Sequence, residues 1–121
     1  MNQRRAVVIE DDPDISLLIS TLLRTMDYRV HTAQTGPAGI QAVRDIRPSL
    51  ITTDLGLPGL GGIEVVRTIR PYTDAPILVI SAQSDVAEIE EVLAAGADSY
   101  LTKPFRPRVL QEHVAALQEK G

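Results

Sequence analysis

Five short apolar runs recur along this chain, and each is separated from the next by a segment whose apolar residues repeat with a helical period. The runs are Val7-Val8-Ile9, Tyr28 to Thr32, Leu50-Ile51 leading into Thr52-Thr53, Ile77 to Ile80, and Ser99-Tyr100-Leu101. The first, third and fourth are almost uninterrupted, as parallel strands covered on both faces must be. Between them, Ile15, Leu18, Ile19, Leu22, Leu23 and Met26 make one stripe, and Gly39, Ala42, Val43 and Ile46 a second. Ile63, Val66 and Ile69 mark a third. Val86, Ile89, Val92 and Leu93 mark a fourth, whose other face carries Glu88, Glu90 and Glu91. Leu110, Val114 and Leu117 mark a fifth. Stripes of this spacing bury one side of a helix.

Punctuation agrees with these boundaries. Asp12-Pro13 offers an N-cap followed by proline at the first helical position. Gly36-Pro37 repeats the proline signal, and Gly96 follows the fourth helical segment as a C-terminal glycine does. Five alternating strands and helices predict an α/β fold. Right-handed crossovers place helices on both faces of a five-stranded parallel sheet, a three-layer (βα)5 sandwich.

Composition narrows the function classes. The 121 residues fit one domain, expected to span 1–121 with any output domain beyond the chain. There are no cysteines, which removes disulfides, cysteine metal sites and cysteine nucleophiles. The net charge of -4 and the 3% aromatic content argue against direct nucleic-acid binding by this domain. No apolar stretch approaches the ~18 residues of a membrane span, so no membrane partner is expected. Polar Met1 to Arg5 does not read as a signal peptide.

In open α/β sheets ligands gather at the carboxyl ends of the strands. Here those ends deliver Glu10, Asp11 and Asp12, then Asp54, then Ser81, then Lys103 and Pro104. Singly, each has an ordinary role: acidic residues after a strand cap the next helix, Asp54 before Gly56-Leu57-Pro58-Gly59 suits a turn, Ser81 suits a helix start, and Lys103 suits a solvated surface. Their convergence on one edge selects a chemical reading. Glu10 or Asp11 beside Asp54 would repel without a counter-charge, and Mg2+ is held by one or two carboxylates plus a phosphate. Carboxylates are covalent phosphoryl acceptors, and Lys103 would add positive charge at the phosphoryl oxygens.

The motifs VVIEDD at 7–12, TDLGLPGLGG at 53–62, ILVISA at 77–82 and GADSYLTKPF at 96–105, in this order, resemble the receiver domains of two-component response regulators. The resemblance runs from about Arg5 to Lys120. It implies a CheY-like, flavodoxin-like sheet of order 2-1-3-4-5 and a cytoplasmic, bacterial signalling protein. Asp54 then matches the acceptor of a phosphoryl group from a sensor histidine kinase. Glu10 and Asp11 match the acidic pair that holds Mg2+ with Asp54, Asp11 being the direct ligand. The main-chain carbonyl of Gly56 matches the remaining protein ligand. Asp12 looks like the helix cap.

Ser81 matches the hydroxyl that moves to the phosphoryl group, Lys103 its lysine partner, and Tyr100 the ring that turns inward. Pro104 matches a proline preceded by a cis bond. Gly56 and Gln83 stand where such families tune phosphoryl lifetime. The face formed by the fourth helix, fifth strand and fifth helix is the implied switch, controlling an output domain or a homodimer.

YLTKPF resembles the branch whose receivers precede winged-helix DNA-binding domains, which implies transcription as the output. That branch dimerises through charge pairs, and here the match weakens. The fourth helix carries Glu88, Glu90 and Glu91 rather than bases, Ser99 stands where a second aspartate is common, and Val109 and His113 replace acidic and basic residues. His113 and His31 read as a surface and a strand-edge residue. A phosphorylation-independent adaptor on the same fold would have lost an acidic, acceptor or lysine position, and none is lost. A phosphatase with an aspartate nucleophile needs a second aspartate where Gly56 stands. No G-x-G-x-x-G follows the first strand, which disfavours a dinucleotide site. The expected protein accepts a phosphoryl group and assists that step; it is not a turnover enzyme.

Overall fold

The computed structural model describes residues 4–120; residues 1–3, part of the segment read for a signal peptide, and Gly121 lie outside the described residues. The elements are β1 (Arg4–Ile9), α1 (Pro13–Arg24), β2 (Tyr28–Ala33), α2 (Gly36–Ile46), β3 (Leu50–Thr53), α3 (Gly62–Ile69), a 3-10 turn (Arg70–Tyr72), β4 (Ile77–Ser81), α4 (Val86–Ala94), β5 (Ser99–Thr102) and α5 (Pro107–Lys120). The strands form one sheet in the order β2-β1-β3-β4-β5, and every pairing is parallel.

Alternate strand residues feed two separate cores. Val7, Ile9, Ile51, Ile77 and Val79 pack with Ala42 and Val43 of α2, Val65, Val66 and Ile69 of α3, and Val92 of α4. Ala6, Val8, Leu50, Leu78, Ile80 and Leu101 pack with Ile19 and Leu23 of α1 and with Leu110, Val114 and Leu117 of α5. β1, β3 and β4 are therefore buried on both faces, which accounts for their continuous apolar sequence. No helix among the described residues is long and apolar enough to cross a membrane.

Asp12 caps α1: its side chain accepts from the amides of Asp14 and Ile15, with proline in the first turn. Thr35 does the same for α2 through the Ala38 amide. Gly96, at φ 125°, follows α4 in a backbone conformation that side chains rarely adopt.

Three expectations need correction. β1 begins at Arg4, before the first apolar residue, because pairing with β2 starts at Arg4–Tyr28. In α1, Ser16 and Ser20 are buried while Leu18 is exposed, since small side chains let the helix sit close to the sheet. In α4 only Val92 is buried; Val86 is 66% and Leu93 40% exposed. α4 lies beside the edge strand β5 and has α3 as its helical neighbour, so Val86 and Leu93 of its expected stripe face outward.

Candidate functional site

The sheet ladder places the site residues. Beyond the last strand pairs, the Glu10 amide donates to the Ala33 carbonyl, the Asp54 amide to Ile9, and the Lys103 amide to Ser81. Each residue leaves its strand in register with its neighbour, so side chains far apart in sequence meet at one edge. Glu10 and Asp54 are buried, 2% and 8% exposed, and so is Ser81.

Lys103 is the centre of the arrangement. Its Nζ donates to Glu10 Oε1 at 2.7 Å and to Asp54 Oδ2 at 2.8 Å. Asp54 Oδ1 accepts from the Gly56 amide at 3.0 Å, and Glu10 Oε2 from the Asp12 amide at 3.1 Å. The peptide bond between Lys103 and Pro104 is cis, as the resemblance implied.

Charge and burial compete at each group. Burial opposes ionisation of Asp54. The Lys103 hydrogen bond, the Gly56 amide, the Ser81 hydroxyl and the Lys103 charge outweigh it and hold the carboxyl below its usual range. For Glu10 burial wins: despite Lys103 and the Asp12 amide, its pKa is raised, with the Asp54 charge adding to the rise. Lys103 also loses solvation, but its bonds to Asp54 and Glu10 prevail and raise its pKa. The site thus favours an ionised Asp54, the state a carboxylate nucleophile requires.

Glu10, Asp11 and Asp54 each offer a carboxylate oxygen, and these atoms lie within 4.8 Å of one another. Three carboxylates face one ammonium, an excess of negative charge at a partly buried site. An all-oxygen donor set of this kind fits a hard divalent cation such as Mg2+. Asp11 is exposed, which suits a ligand of an ion that keeps several waters.

The remaining expected residues ring this centre. Ser81 Oγ accepts from the Gln83 amide at 3.3 Å. The Tyr100 hydroxyl donates to the Gln83 carbonyl, tying β5 to the loop before α4. A Cβ added to Gly56 would stand 3.9 Å from both Asp54 Oδ1 and Gln83 Nε2, so the Gln83 amide lies across from the Asp54 carboxylate. At Gly62 the situation is opposite: a Cβ would fall 2.1 Å from the Asp54 carbonyl oxygen and 2.7 Å from Leu55 Cα. The start of α3 is pressed against the backbone of Asp54 itself.

Sequence reasoning missed one feature. An apolar cleft of about 360 Å3 opens beside Lys103, lined by Ile15, Leu18, Ala82, Pro104 and Phe105. Leu18 was assigned to the core stripe of α1, so its outward turn was not legible. His113 also differs from its reading: it is half-buried, with Nδ1 3.1 Å from Ser99 Oγ, so that β5 and α5 are linked within the chain. His31 is exposed on the edge strand, as expected.

Residues 6–115 match the family model described as response regulator receiver domain. The chain is 35% identical over 114 residues to the DNA-binding response regulator MtrA of Mycolicibacterium smegmatis, covering 94% of this chain and 50% of that protein. It is 37% identical over 115 residues to the transcriptional regulatory protein AfsQ1 of Streptomyces coelicolor, covering 95% and 51%. The chain spans about half the length of the curated relatives it matches. Among solved structures, chemotaxis protein CheY4 of Vibrio cholerae superposes with a TM-score of 0.90 at 26% identity, covering 96% of this chain and 99% of that one. The BeF3-activated receiver domain of RstA from Klebsiella pneumoniae gives 0.88 at 26% identity, covering 93% and 97%.

Proposed function

This chain belongs to the response regulator receiver domain family of two-component systems, and from that premise we propose that Asp54 is its phosphoryl acceptor. The observation that carries the assignment is the Lys103 ammonium bridging Glu10 and Asp54 in a three-carboxylate cluster. Receiver domains are phosphoacceptors, and they hold Mg2+ through acidic residues. In this chain Asp11, Asp54 and the Gly56 carbonyl would hold the ion, with Glu10 completing the acidic set. Mg2+, when bound, supplies positive charge that neutralises the phosphoryl oxygens.

The chain's own residues do the rest. An Asp54 carboxylate oxygen bonds to phosphorus as the bond from phosphorus to the donor nitrogen of a sensor histidine kinase breaks, and that nitrogen keeps the electron pair. Lys103, already on Asp54 Oδ2, follows the new negative charge onto a phosphoryl oxygen. The modification adds roughly -1.5 to -2 charges and strong acceptor oxygens. Ser81 Oγ, which now holds the Gln83 amide, gains a stronger acceptor in the phosphoryl group. When Ser81 turns, the Gln83 amide loses its partner and the Tyr100–Gln83 link is disturbed, so the change reaches the α4-β5-α5 face. The apolar cleft of Ile15, Leu18 and Phe105 beside Lys103 gives the donor protein a surface to seat against.

The output lies outside residues 4–120. Relatives named as DNA-binding and transcriptional regulators support control of transcription through a separate module, and the proposed role places the protein in the cytoplasm. Gly56 and Gln83 bring no acid or base to the acceptor, so the fold itself sets the phosphoryl lifetime. Replacement of Gln83 by Glu or Arg is expected to change the rate of phosphate loss.

The deciding experiment treats the purified chain with acetyl phosphate, with and without Mg2+, and reads intact mass. One Mg2+-dependent phosphoryl adduct is expected, and it is absent from Asp54→Ala. An adduct that persists in that variant, or none in the folded wild-type chain, would overturn the assignment.

A further inference from the structure

The end of the sheet opposite Asp54 carries a second concentration of charge, of the opposite sign. Arg5 on β1 and Arg29 on β2 are register partners. Register partners on neighbouring strands project to the same face, and a residue two places along joins them. Arg5, Arg29 and His31 therefore share the face that α2 covers. With Ala6, Val30 and Ile46 they line a cleft of about 310 Å3. β2 is an edge strand, so the cleft is open on one side.

Like charges placed directly opposite each other in a sheet are destabilising. Arg4 lies over the Tyr28 ring, Arg44 over Tyr72, Arg67 pairs with Glu64 and Glu91, and Arg70 with Asp98, whereas Arg24, Arg47, Arg106 and Arg108 form no ion pair among the described residues but do not face another cation at the same register. No carboxylate lines the Arg5–Arg29 cleft, and among the described residues none forms an ion pair with Arg5, Arg29 or His31. Arg5 makes only a long bond, 3.4 Å, to the Ile46 carbonyl at the end of α2. Charge on an edge strand discourages strand-to-strand aggregation. That role explains Arg29 and His31, but not an arginine on the interior strand β1 at the same register and face.

We infer that this cleft binds a phosphate group. A guanidinium presents a planar fork that matches phosphate oxygens bidentately. Two forks rooted about 4.8 Å apart on adjacent strands offer more donors than one carboxylate can use, and a tetrahedral phosphate has oxygens for both. Ile46 at the end of α2 adds an apolar side chain to the lining, while Ala6 and Val30, whose side chains enter the opposite core, contribute main chain. The site is separate from the acceptor chemistry and does not depend on it.

The test uses the purified chain without Mg2+, which keeps the acceptor site out of the measurement. Inorganic phosphate and a short DNA duplex are titrated separately at low salt, and backbone amide shifts are followed by NMR. Saturable shifts at Ala6, Val30, His31 and Ile46 are expected. Arg29→Glu should weaken binding by roughly tenfold or more, the effect of losing a charge-assisted hydrogen bond, and Arg5→Gln should weaken it in the same direction. Both variants should still accept a phosphoryl group from acetyl phosphate, which shows that they fold. Saturation by phosphate alone identifies a free phosphorylated ligand. Saturation by the duplex, with affinity falling steeply with salt, identifies a nucleic-acid backbone. If neither probe shifts the cleft amides, or if the folded variants bind as the wild type does, the inference fails.

Discussion

α5 and α4 flank the same edge of the sheet, yet they are anchored very differently. α5 inserts Leu110, Val114 and Leu117 into the core beneath it, where Leu110 and Val114 are fully buried. α4 inserts only Val92 and leaves Val86 and Leu93 in solvent. Its other ties are an exposed salt bridge from Arg67 to Glu91 and the Tyr100 hydroxyl on the loop before it. Exposed ion pairs contribute little. Under the proposed function, the helix that responds to modification of Asp54 is the one the core holds least, as expected of an element with two accessible positions.

The comparison is most easily broken at its strong side. Leu110→Ala should cost about 2–5 kcal/mol of stability, the range for a fully buried leucine, read by denaturant unfolding. Val92→Ala should cost about 2 kcal/mol, and amide exchange should show α4 opening locally before the chain unfolds; a simultaneous loss across all helices would contradict its weak anchoring. The acceptor end separates charge from packing. Glu10→Gln should be more stable than the wild type at pH 7, because burial raises the Glu10 pKa and its ionised form is disfavoured in the folded state. Since the folded pKa is raised, that gain should vanish as pH falls below 4.5. Equal stability of the two proteins at pH 7 would show that Lys103 compensates fully. Leu93→Ala should change stability by no more than about 0.5 kcal/mol, the ordinary effect of a surface change.

The strands, their order of appearance and the residues at their carboxyl ends were legible because each depends on local patterns: apolar runs, caps and turn residues. The convergence of Glu10, Asp54, Ser81 and Lys103 followed from the rule for parallel sheets, and the structure brings all four to one edge. The errors were those of depth. Periodicity marks which residues could be buried, not how closely a helix approaches, so it assigns Val86, Leu93 and Leu18 to stripes that the structure leaves exposed. The Arg5–Arg29 pairing was invisible because it depends on the register between strands, which no local pattern in β1 or β2 encodes.

Two glycines six positions apart make opposite demands on how such a domain can change over generations. At Gly56 an added Cβ meets only Asp54 Oδ1 and Gln83 Nε2, both at 3.9 Å, an ordinary contact distance. At Gly62 it would collide with the main chain of Asp54 and Leu55. Position 56 therefore has room for a small side chain, which would alter what stands beside the Asp54 carboxylate while leaving Asp54 where it is. Position 62 is closed, since even a methyl group would displace the Asp54 main chain. If Asp54 carries the signal as proposed, its duration can drift between descendants of this chain, while the place where it is written cannot.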